Sequence, residues 1–264
     1  MIRLLVIWCV LLAACAAPRP VIKIALVAPF EGRLRQIGYE AFPAMRLAIR
    51  ERVASGNAGS VYVTFIAYND DGDPATAARI ARNVALDPEV VGVIGHLVLS
   101  TTLAALSVYT QAGLPVLAPS VPANALPHDP LVFRMAPRAP SHNLRQSRAA
   151  CATLDSSWMA VGWPFGTCIA DAPPVVELPD AQRALAAFTE LSLGPPPGPR
   201  SIVAYDATNV LLDAIALDAR ANGLPTRAGV ADALRRIRRN GLLGQIRFDD
   251  RQIWADAPAW AYVK

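Results

Sequence analysis

Between the apolar run VVGVI and a segment closing at AGLPV lies IGHLVLSTT, Ile94 to Thr102, which places a glycine, a histidine and three consecutive hydroxyl side chains within nine residues. A strand followed by a glycine turn and a hydroxyl-rich helix start has two uses. It can cap a helix, or it can hold an anion, because the first turn of a helix carries unpaired N–H donors and about half a positive charge. Ser100, Thr101 and Thr102 can add hydroxyl donors, so a carboxylate can be held there without an arginine. His96 either touches such a ligand or packs as a turn residue, and packing is favoured. Asp70, Asp71 and Asp73 in NDDGDP read as a turn and a helix start rather than as metal ligands. His96, His128 and His142 with two late cysteines show no metal-ligand spacing. GxGxxG, GxxxxGK[ST] and GxSxG are all absent from the chain, so neither a phosphate cradle nor a nucleophile elbow is signalled, and no catalytic residue or cofactor is expected.

The elements that position this loop alternate. VIKIALVAPF has strand length, and GYEAFPAMRLAIRERV follows at helical spacing; SVYVTFIAYND is a second strand, and ATAARIARNVAL a helix stopped by Asp87-Pro88. VVGVI, the helix TTLAALSVYTQ with Gly113 as its cap, and LPVLAP complete a β-α-β-α-β-α-β order from Val21 to Pro119. That order predicts an α/β fold, a parallel sheet with helices on both faces, with ligands at the carboxyl ends of the strands. IGHLVLSTT is one such end, and APSVPAN, Ala118 to Asn124, is the next.

From Pro137 the texture changes, and 14 of 23 prolines fall between Pro119 and Pro199. There RQSRAAC reads as a helix end, SSWMAVGW as a strand, and LPDAQRALAAFTELS as a helix capped by Asp180. GPPPGP reads by composition as a stiff hinge or linker. IVAYDATNVLLDAIALDARANG reads as a long amphipathic helix, with Tyr205 and Asp206 on one face, and TRAGVADALRRIRRNG as another. IRFDDRQIWADAPAWAYV reads as two short strands around a turn.

The first fourteen residues form a leader: Arg3, then the apolar LLVIWCVLL, too short to span a membrane, then small residues. LAAC, Leu12 to Cys15, resembles the bacterial lipobox, which makes Cys15 an acylated N-terminus; an ordinary signal cut is the alternative. Lipid chains then hold a domain to the outer side of a membrane, giving an extracytoplasmic, membrane-anchored location. Cys151 and Cys168 remain in a disulfide-permissive setting, paired or free. The net charge of +4 is carried by 23 arginines and two lysines. RRIRR at 235 to 239 closes a helical pattern without aromatic residues among its cations, and nucleic-acid binding is not expected.

KIALVAPFEG, YNDDGDPATAARIARNV, VVGVIGHLVLSTTLAALSVYTQAGLPVLAPS, LVFRMAPR, AYDATNVLLDAI and GLLGQIRFDD, in this order, resemble the branched-chain amino acid (leucine-binding protein-like) type of periplasmic substrate-binding proteins, which feed ABC importers. The resemblance implies two α/β lobes closing over an amino acid, with the ligand carboxylate against the first lobe. It implies ABC transporter membrane subunits as partners. It implies a leader at 1–14, a linker at 15–20, a first lobe at 21–137 and 200–253, and a second lobe at 138–199 and 254–264. The ligand-binding positions it marks are Leu99, Ser100, Thr101, Ser120 and Val121.

Two departures stand out. Leu99 falls where the family has a carboxylate-binding serine, and Pro122, where a threonine is common, has neither hydroxyl nor N–H. After Arg138, SHNLRQSRAAC runs from a hinge strand into a late helix, so the second lobe is reduced; Trp163 and Phe165 can wall a pocket there but cannot neutralise an ammonium. The expected function is therefore a solute-binding lipoprotein for a branched-chain amino acid or similar small polar solute. A truncated relative without tight binding is the alternative, and an enzyme is the least favoured.

Overall fold

A computed structural model describes residues 19–55, 60–121, 125–136, 167–168, 179–192, 200–257 and 262–263. Four strands alternate with three helices: β1 (Val21–Ala28), α1 (Arg35–Ala54, after a 3-10 turn at Gly32–Leu34), β2 (Tyr62–Asn69), α2 (Pro74–Leu86), β3 (Val90–Gly95), α3 (Leu99–Gln111) and β4 (Val116–Ala118). With β5 (Val132–Arg134) they form one parallel sheet in the order β2-β1-β3-β4-β5.

Both faces of this sheet are covered, which is why its inner strands read as nearly unbroken apolar runs. Along β1, Ile22, Ile24 and Leu26 enter one buried cluster, while Ala25 and Val27 enter another with Ile80, Val84 and Tyr109 of α2 and α3. The first cluster is closed by α1 and three later helices: α4 (Pro179–Leu191), α5 (Arg200–Asn222) and α6 (Arg227–Arg236).

Arg227 joins this later part of the chain to the sheet. Its guanidinium donates to the carbonyls of Val90 at 3.0 Å, Ala112 at 3.2 Å, Ala85 at 3.0 Å and Asp87 at 2.7 Å. Those oxygens belong to two helix ends and a strand start, where carbonyls lack regular partners. A second tie lies beside β5: Arg134 N–H donates to Gln252 O at 2.8 Å, and Trp254 N–H to Arg134 O at 2.9 Å. Trp254 is fully buried in the cluster that holds Phe133 and Ile246.

Several sequence expectations are corrected. α5 is buried nearly all round rather than amphipathic, because α1, α4, α6 and the sheet surround it. α4 begins at Pro179, so Asp180 lies inside the first turn, paired with Arg183, rather than at the cap. α6 stops at Arg236, where Ile237 turns extended, and RRIRR continues into the hairpin β7 (Arg239–Gly241) and β8 (Gly244–Ile246). Arg239 is drawn there by Asp213 at 2.6 Å. Two short strands, β6 (Thr167–Cys168) and β9 (Tyr262–Val263), pair antiparallel. RQSRAAC, SSWMAVGW and GPPPGP lie outside the described residues, as do Cys15, Pro122, Cys151, Trp163 and Phe165. Among the described residues no helix is long and apolar enough to cross a membrane.

Candidate functional site

The carboxyl ends of β3 and β4 bring two loops side by side. At the end of β3, Gly95 takes φ +126°, a left-handed backbone, and a Cβ there would collide with the carbonyl oxygen of Val27. Only glycine lets the chain leave the strand so close to β1. Leu97 and Val98 then bury, and α3 starts at Leu99.

Three N–H groups, of Leu99, Ser100 and Thr101, precede the first intrahelical bond, Thr102 N–H to Val98 O at 2.9 Å. Val98, the residue before the helix, offers no side-chain cap. A helix start with no capping side chain keeps its positive end for an external acceptor. The hydroxyls divide. Thr101 Oγ1 donates to Val98 O at 3.0 Å, and Thr102 Oγ1 lies 2.9 Å from His96 O and 2.7 Å from Val98 O, so both bind the loop internally. Both threonines are fully buried, whereas Ser100 is exposed and Leu99 half-buried.

The neighbouring loop carries Ser120 and Val121 just past β4, with Val121 fully buried and Ser120 9% exposed. Leu99 packs against the small cluster of Leu106, Ala118, Val121, Leu126 and Val132. Of the five ligand positions marked in the sequence, Leu99, Ser100 and Ser120 keep accessible surface on two adjacent strand ends, whereas Thr101 and Val121 are fully buried and the Thr101 hydroxyl is used inside the loop.

His96 packs, as its turn position predicts, and it does so against two buried polar partners. His96 Nδ1 lies 2.7 Å from Asp70 Oδ2 and Nε2 lies 3.1 Å from the Tyr109 hydroxyl, all three groups being buried. Burial first, and the nearby Asp70 and Tyr68 next, push the Tyr109 phenol well above its usual range, so it stays a neutral donor or acceptor. Asp70 also accepts Gly72 N–H at 3.0 Å, and Asp73 caps α2 by accepting Thr76 N–H at 2.7 Å. NDDGDP is therefore a turn and helix start, and its first aspartate reaches through the sheet end to steady the loop before Leu99. The pattern signal was an aspartate at a strand end and a tyrosine on the inner face of α3, two features that share no spacing rule. Among the described residues no group of three histidine, cysteine or carboxylate side chains is arranged to hold a metal.

Comparison with known proteins gives the family and the fold. Residues 21–162 match the family model described as periplasmic binding protein. The chain belongs to that family. Among curated relatives, the Leu/Ile/Val-binding protein of Citrobacter freundii is 31% identical over 105 residues, covering 40% of this chain and 28% of that protein. The leucine-, isoleucine-, valine-, threonine- and alanine-binding protein of Pseudomonas aeruginosa is 31% identical over 102 residues, 39% of this chain and 27% of that protein. The matched stretch thus spans little more than a quarter of these relatives.

Solved structures share the fold. The branched-chain amino acid transporter substrate binding protein LivJ from Streptococcus pneumoniae, in complex with isoleucine, aligns with a TM-score of 0.67 at 16% identity over 92% of this chain and 99% of that one. A solute binding protein of an ABC transporter from Rhodopseudomonas palustris, in complex with 3,4-dihydroxybenzoic acid, aligns with a TM-score of 0.65 at 13% identity, over 88% and 90%. The α/β periplasmic-binding fold expected from the sequence is the fold observed.

Proposed function

We propose that the chain is an extracytoplasmic solute-binding component of an ABC importer, lipid-anchored through Cys15, that binds a branched-chain amino acid or a similar small carboxylate. The observation that carries this is the start of α3, whose Leu99, Ser100 and Thr101 N–H groups have no capping side chain and adjoin the Ser120–Val121 loop. The ligands in the two related complexes above, isoleucine and a dihydroxybenzoic acid, differ in their side groups but share a carboxylate. A helix N-terminus recognises that group and little else, so it suits a first lobe that stays constant while the rest of the site varies. In this reading residues 21–137 and 200–253 form the first lobe, and 138–199 and 254–264 a shortened second lobe, of which α4 and Trp254 are packed into the core of the first. The partners are the importer's membrane subunits and the ligand, and the chemistry is capture and delivery rather than turnover.

A second reading, a relative that no longer binds tightly, is favoured by one observation. Leu99 spends its side chain on the apolar Val121 cluster where the family has a hydroxyl. One pair of experiments separates the two: a thermal-shift screen of the purified chain against the twenty amino acids, repeated with Leu99→Ser. The transport reading expects stabilisation by aliphatic amino acids, and an affinity higher by roughly tenfold or more in Leu99→Ser, the effect of one added hydrogen bond to a charged group. A folded chain that no amino acid stabilises, with or without the serine, supports the second reading.

A further inference from the structure

The end of the sheet opposite the candidate site has an unusual surface. Among the described residues, the large apolar side chains that remain exposed are Val21, Val53, Tyr62, Leu86, Leu217 and Leu224 at this amino pole, from 39% to 81% accessible, and Leu103 elsewhere. Their positions follow from the topology: they sit at the starts of β1 and β2 and at the ends of α1, α2 and α5. Ser60, just before β2, donates to Gly223 O at 3.3 Å, which joins the α5 end to the β2 start.

Two cations at this pole stand outside its ion pairs. Arg46 and Arg50, one helical turn apart on α1, are exposed and have no acidic partner among the described residues; Arg46 lies 5.8 Å over the Phe42 ring. The acids nearby are engaged: Glu51 accepts from the Tyr205 hydroxyl, and Asp87 and Glu89 hold Lys23 at 2.9 and 2.6 Å. A cavity of about 340 Å³ opens between α1 and the first half of β2, lined by Arg46, Arg50, Ile49, Val53, Phe65 and Leu191 among others. Free guanidinium groups beside exposed aliphatic and tyrosine side chains match a surface of phosphate esters over hydrocarbon.

The tether leaves from the same place. Tyr62 N–H donates to Pro20 O at 2.8 Å, so the chain enters the fold beside the exposed Tyr62. Cys15 lies five residues before Pro20, at most about 18 Å of extended chain.

We infer that the amino pole of the sheet is a membrane-facing surface that rests on the anionic phospholipid headgroups of the bilayer carrying the anchor. This rests on the lipid-anchored reading above. In this resting contact the α3 start and the Ser120 loop lie at the opposite end of the strands from the bilayer, so delivery to the membrane subunits requires the domain to leave the headgroups and turn on its tether.

The test uses the processed chain purified from a bacterial host and placed on phosphatidylcholine vesicles with or without phosphatidylglycerol. Side-chain footprinting by hydroxyl radicals reads Tyr62, Leu86 and Leu224, with Leu103 as the internal control. Labelling of the three pole residues should fall by roughly threefold or more on phosphatidylglycerol vesicles, as two surface arginines can supply, while Leu103 is unchanged. In Arg46→Glu/Arg50→Glu, which leaves the buried core unchanged, that protection should vanish while the chain still unfolds cooperatively. Equal labelling on both vesicles, protection that survives the double substitution, or protection in solution without vesicles, which would mean that a second copy covers the pole, each overturns the inference. Failure of the anchor shows separately, as a purified mass without acyl chains. The footprint on added phosphatidylglycerol vesicles then still decides the pole.

Discussion

Asp206 shows how a single residue couples the fold to pH. Its carboxylate, inside α5 and 1% exposed, accepts the N–H groups of Leu242 at 2.9 Å and Leu243 at 3.1 Å in the β7–β8 turn. Burial outweighs those two bonds and the attraction of Arg239, and the carboxyl is pushed up to about 6. The folded state therefore binds this proton more tightly than the unfolded chain does. Stability from this group is fully present below about pH 4 and is lost as pH rises through 6, by about 2–3 kcal/mol. Urea unfolding at pH 4, 5, 6 and 7 should show that loss, and Asp206→Asn should flatten it; identical slopes for both chains would refute the assignment. Tyr109→Phe makes a separate test at this scale. It leaves His96 Nε2 buried without its partner and should cost about 1–3 kcal/mol in the same assay, with the Asp70 contact kept.

At the scale of elements, the Arg227 side chain ties three of them together. Burial lowers its guanidinium somewhat while Asp87 counteracts, and the four carbonyls it serves end α2 and α3 and open β3. Arg227→Ala should cost about 2–4 kcal/mol, and Arg227→Lys should recover only part, since an ammonium cannot span the fork of acceptors. Chemical denaturation of the three chains measures this. The first seven elements were legible because their signals are local: apolar strand runs, Asp73 as a cap, Asp87-Pro88 as a stop, and Gly113 at φ +65° after α3. The later elements were less so. α5 has no polar face to read, since Asp206, Thr208 and Asn209 are buried against other elements. The end of α6 follows from the pull of Asp213 on Arg239, which lies 26 residues away in sequence. The candidate site was legible as a place, because a strand end before a helix start is visible in the pattern. Which hydroxyls face inward was not, because that depends on where Val98 O and His96 O come to lie.

At the scale of the whole molecule, the sheet has two poles with different chemistry. The carboxyl pole presents uncapped N–H donors near Ser120, and the amino pole presents free arginines among exposed apolar side chains. Family membership accounts for the first pole, and the chain's route from Pro20 into the sheet gives the second its context. Recognition of a carboxylate by the α3 start is tested by titration calorimetry of the purified chain with leucine and, in parallel, with leucinamide. Leucine should give saturable heat, and leucinamide should bind with an affinity lower by roughly tenfold or more, because the amide gives up the charge that the helix start recognises. Equal affinity for both, or no binding of leucine, isoleucine or valine by the folded chain, would contradict it.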